Sequence, residues 1–209
     1  VNLMRVGEAI NGLLNAVELQ TVFLASLVEK FVPVLPSYVL FPAIGAGSST
    51  TQDLAVRCLV AVFGSIGGAA GWYGLGAAIG EQRVRSLVAR YGKWLFLKTG
   101  RYEEMTASYR RAPFLITVLG QMMPTMRIFH ALPAGVMRLP LGPFLLATAL
   151  GASVWICVLA VAGYTLYREG WSIAQIGAGL FAGLVAIEAL VMSGLFAFST
   201  VRRHGPPMR

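Results

Sequence analysis

Residues 143–167 carry no charged side chain, and residues 173–201 carry only Glu188. Crossing a bilayer as a helix takes about 20 mostly apolar residues, so both segments qualify as spans. Residues 56–79 qualify too, with Arg57 at their edge, and 13–28 are a shorter, more polar candidate within an N-terminal helix, 1–28. Of the 209 residues, 56% are hydrophobic and 12% charged; a soluble domain carries about twice that charged share. So few charges cannot cover a water-facing surface. The chain reads as one polytopic, all-α membrane domain, 1–209, with no polar linker or second module.

The net charge of +8 is concentrated in two places. Residues 80–111 hold Arg83, Arg85, Arg90, Lys93, Lys98, Arg101, Arg110 and Arg111, and the tail, 202–209, adds Arg202, Arg203 and Arg209. Such clusters beside spans indicate anionic lipid headgroups, not nucleic acid, as the partner. The spans 143–167 and 173–201 put both clusters on one face, leaving Lys30, Arg57 and Arg168 on the other. By the positive-inside rule this gives a multi-pass membrane protein with both termini cytoplasmic. Residues 80–111 then read as an amphipathic segment on the inner surface, with Tyr91, Trp94, Phe96 and Tyr102 at the interface. Cys58 and Cys157 lie in apolar segments and read as free, buried thiols. No metal-ligand cluster and no cofactor motif is visible. Asn11, Asn15, Glu18 and Gln20 argue against a signal peptide.

Two apolar segments fail as simple spans. Residues 31–47 contain Pro33, Pro36 and Pro42, and 113–135 contain Pro113, Pro124 and Pro133. Proline removes an N–H and extends the preceding residue, so breaks are expected at Leu35 and Met123. A broken backbone at membrane depth survives inside protein or beside a water-filled cavity. Both segments read as re-entrant hairpins; kinked spanning helices are the alternative.

The hairpins match without a gap. Pro36, Phe41, Ala43, Ala46 and Gly47 align with Pro124, Phe129, Ala131, Ala134 and Gly135. Ser37 faces Thr125, and Gly64 and Gly151 follow at nearly equal offsets. The single crossing 56–79 between the hairpins makes them enter from opposite faces, an inverted repeat. Such repeats put a substrate near the midplane, where half-helix N-termini favour an anion. Pro36, Ser37, Pro124, Thr125 and Gln121 line the expected site. Arg127, in the first turn of the second half-helix, supplies a fork suited to phosphate, or else a structural pair with a carboxylate. Glu29 pairs with Arg127, titrates to couple transport to protons, or is solvated. Glu188 and Glu18 are further proton-binding candidates, or satisfied interhelical partners. Gly64/Gly68, Gly67/Gly71 and Gly76/Gly80 have helix-packing spacing and permit a homodimer. His130 reads as a structural hydrogen-bonding residue, and His204 has no assigned role.

These residues resemble the DedA family, also called SNARE-associated or VTT-domain proteins, over about residues 28–171. The likeness rests on Pro124-Thr-Met-Arg-Ile-Phe-His-Ala-Leu-Pro-Ala-Gly-Val-Met-Arg138, then 144–151, Trp155 and Gly163-Tyr164. Glu29, Pro33, Pro36-Ser37, Gly45, Tyr73, Gly76, Gly80 and 89–94 add to it. The resemblance implies a bacterial-type protein of the inner (plasma) membrane that translocates polyprenyl phosphates or phospholipids, driven by the proton-motive force, with Glu29 and Arg127 as functional positions. The chain departs from the family pattern at Tyr38, Ala69, Ala77 and Gln121, where charged or polar residues are usual. The expected function is therefore lipid transport without enzymatic activity; the alternative is a non-transporting scaffold or regulator of envelope homeostasis.

Overall fold

The computed structural model describes residues 18–31, 36–91, 107, 109–122, 127 and 130–204. Their regular elements are all helices: α1 (Glu18–Val28), α2 (Ser37–Ala46), α3 (Thr51–Ile79), α4 (Glu81–Tyr91), α5 (Pro113–Met122), α6 (Ala131–Val136), α7 (Leu141–Arg168) and α8 (Ile173–His204). The expected break residues Leu35 and Met123 lie outside the described residues.

The helix ends follow local chemistry. Thr50 caps α3 by accepting the Asp53 N–H at 3.1 Å, and Gly80, with φ 77°, ends it. Pro36 precedes α2 with extended backbone (φ −72°, ψ 124°), and Pro140 does the same for α7. Arg138 closes the short α6 at φ 51°, with the Leu139 N–H returning 3.1 Å to the Ala134 carbonyl.

The helices α3 and α7 are long and apolar enough to cross a membrane. At 1.5 Å per residue each is about 42 Å long, more than the ~30 Å hydrocarbon core. One side of α7, from Phe144, Ala147 and Gly151 to Ala160 and Gly163, is buried. Its other side exposes Leu146, Leu150, Val154, Val158 and Val161 at helical spacing. Such a stripe would promote aggregation in water and suits lipid. Cys157, expected to be buried, is exposed on α7; Cys58 is buried, and both thiols are free.

Glycines bring the helices together. A Cβ on Gly64 of α3 would strike Phe23 and Ser26 of α1, and one on Gly151 of α7 would strike Val118 and Gln121 of α5. The shorter helices cross over. Gly163 of α7 lies on the backbone of Pro42, Gly45 of α2 on Ala160, Gly76 of α3 on Leu132, and Gly135 of α6 on Tyr73. Thus α1 seats on α3 and α2 on α7, while α5 seats on α7 and α6 on α3. A Cβ on Gly47, which the sequence aligns with Gly135, would meet only its own helix.

Candidate functional site

The end of α1 carries two adjacent ionisable residues inward. Glu29 is 2% exposed and Lys30 is 1% exposed. Their turn is fixed by Glu29 N–H donating to Ala25 at 2.9 Å, and by the Trp72 indole donating 2.7 Å to the Lys30 carbonyl. Gly68 makes room for the lysine stem: a Cβ there would meet Lys30 Cβ and Cγ at 2.7 Å. Opposite lies Arg127, 1% exposed, in a turn ahead of α6.

Arg127 Nη2 donates to Glu29 Oε2 at 3.3 Å. Its guanidinium lies over the rings of Trp155 (5.2 Å) and Phe41 (5.5 Å). Lys30 Nζ donates to Gln121 Oε1 at 3.0 Å, and Gln121 Nε2 lies 3.2 Å from His130 Nε2. Two cations therefore share one carboxylate in the protein interior. A single long contact uses little of the arginine's donor capacity and offsets little of its desolvation. Among the described residues, Arg127 Nε and Nη1, Trp155 Nε1 and the hydroxyls of Ser65 and Thr148 are buried without a partner. An excess of positive charge and of unused N–H donors favours an anion with several acceptor oxygens.

The structure brings Glu29, Arg127 and Gln121 into one cluster. Pro36 and buried Ser37 form the start of α2, whereas Pro124 and Thr125 lie outside the described residues. Glu188 is on α8, but its side chain also lies outside them. Glu18 lies apart from the cluster: its side chain is 55% exposed and pairs with Arg57, which also holds Asp53 at 2.8 Å. The charge count sets Lys30 among charges on the outer face, and the structure buries it. Lys30, Phe41, Ser65, Thr148 and Trp155 are site residues that sequence reasoning did not single out. Phe41, Thr148 and Trp155 were visible only as repeated or family-like positions, and Ser65 gave no signal.

A family model described as the VTT domain matches residues 35–165. The chain belongs to this family, the DedA membrane proteins. Undecaprenyl phosphate transporter A of Staphylococcus aureus is 22% identical over 88% of this chain and 90% of its own length. Two alkaline phosphatase-like proteins of Lactococcus lactis, from subspecies lactis and cremoris, are 25% and 27% identical. Each match covers 81% of this chain and 78% of the relative. No solved structure matches the chain. The VTT-domain match runs from the residue before Pro36 to Thr165 in the last turn of α7 and so contains Arg127, Gln121 and Trp155 of the cluster.

Proposed function

We propose that this VTT-domain protein is a membrane transporter that moves a phosphate-bearing lipid, a polyprenyl phosphate or a phospholipid, between leaflets. The observation carrying this reading is the buried pair of cations sharing one carboxylate, with Arg127 donors left unused among the described residues. The headgroup phosphate docks against Arg127, at the tips of two re-entrant hairpins that enter from opposite leaflets. The lipid tail stays in the bilayer. The crossed seating of α2 on α7 and α6 on α3 supports the inverted-repeat part of this reading. Glu29 exchanges Arg127 for a proton when the phosphate arrives, which couples movement to the proton gradient. The protein sits in the inner membrane with both termini cytoplasmic. The family and the transporter-named relative favour transport over phosphate hydrolysis.

The test is reconstitution in liposomes with a fluorescent polyprenyl phosphate. Wild type moves the probe across leaflets, and Arg127→Ala falls to the rate of protein-free vesicles. Arg127→Lys keeps the charge but loses the planar fork, and is intermediate. Equal rates for wild type and Arg127→Ala would remove the arginine from the mechanism.

A further inference from the structure

Lys30 is the unexplained residue of the interior. The residue is 1% exposed, and the described residues give its ammonium one acceptor, Gln121 Oε1, at 3.0 Å. An ammonium has three N–H donors. The charges of Glu29 and Arg127 both act on it, but the carboxylate contact is taken by Arg127. Burying a cation against one neutral amide costs stability, and nothing in the packing demands a lysine there. Gly68 leaves space for the stem, and Trp72 holds only the Lys30 backbone. An apolar chain of similar length would fill the same volume at lower cost.

We infer that Lys30 is a second headgroup-binding cation, held in waiting by Gln121, which releases its ammonium to a phosphate oxygen when the lipid docks on Arg127. This rests on the transport reading above and sharpens its substrate class. The ligand is a terminal phosphate monoester, whose three free oxygens can take the arginine fork and the ammonium together. A phosphodiester has only two free oxygens and serves both cations less well. Gln121 is a positioning residue. Its carbonyl oxygen keeps Lys30 aimed across the cluster, while its amide nitrogen rests on His130.

The experiment measures lipid affinity in nanodiscs for wild type, Lys30→Met, Lys30→Arg and Gln121→Glu. The probes are a polyprenyl monophosphate, its methyl diester and the corresponding alcohol, and each protein is also melted without lipid. A charge-assisted hydrogen bond is worth enough to predict a roughly ten- to hundredfold loss of monophosphate affinity in Lys30→Met. The loss for the diester is smaller, and binding of the alcohol is unchanged. Lys30→Arg retains most of the affinity. Gln121→Glu loses it although the lysine remains, because a carboxylate neutralises the ammonium. The lipid-free melting temperature of Lys30→Met is equal to or above that of wild type, the opposite of what a structural lysine would give. If Lys30→Met bound monophosphate as tightly as wild type, this inference would fail while the transport reading stood. A parallel loss for monophosphate and alcohol, with a lower melting temperature, would make Lys30 structural. If wild type bound monophosphate no better than alcohol, the transport reading itself would fall.

Discussion

Glu29 is the one carboxylate in the cluster of described residues, and it faces two buried cations through one contact at 3.3 Å. Replacing it with glutamine leaves Arg127 and Lys30 buried without an anion. Breaking such a pair on one side typically costs about 3–5 kcal/mol. Glu29→Gln should therefore melt well below wild type in detergent, and added polyprenyl phosphate should recover much of the difference. Trp155→Phe should behave in the opposite way. It keeps a ring under the guanidinium and deletes an indole N–H that has no partner among the described residues. Its melting temperature should hold or rise, while lipid affinity falls severalfold. Glu29 and Arg127 were legible as candidates because a charge among prolines at membrane depth is conspicuous. Lys30 was not, because a lysine beside a glutamate reads as an interfacial charge. Its contact lies 91 residues away, on a glutamine that sequence marks only as a missing charge.

Among the helices, the close contacts are backbone against backbone. Gly163 has the Pro42 backbone where a Cβ would stand, so Gly163→Val forces α2 off α7. Overpacking a side chain costs about 1–3 kcal/mol, and backbone cannot yield as a side chain does. The variant should lose its monodisperse peak in size-exclusion chromatography. Gly179→Ala on α8 meets nothing within 4 Å and should elute like wild type. Arg168 makes a gentler junction. It lies 3.7 Å over the Tyr164 ring and donates to the Ser48 and Ser49 carbonyls at 3.1 and 2.9 Å. The long helices were legible from uninterrupted apolar sequence, and the start of α2 from Pro36. The seating of α2 on α7 and of α6 on α3 was hidden, because an apolar segment does not say which long helix it packs against.

At the scale of the whole molecule, the apolar stripe of α7 and the length of α3 fit a bilayer. The charge distribution predicts which way the chain faces. Gln52 and Gln82 are exposed beyond opposite halves of α3, one in its first turn and one just past Gly80. Single cysteines there should be labelled from opposite sides of the membrane: Gln82→Cys from the cytoplasm and Gln52→Cys from outside. Labelling of both from one side would remove the crossing on which the proposed topology depends. The crossed seating of the short helices also bears on how the protein is made. When α2 leaves the ribosome its partner surface on α7 has not yet been synthesised, so Pro42 and Gly45 must wait unpaired in the translocon or beside a chaperone. A chain that stops after residue 111 should therefore be cleared by membrane proteases, and co-expressing residues 112–209 as a separate fragment should rescue it.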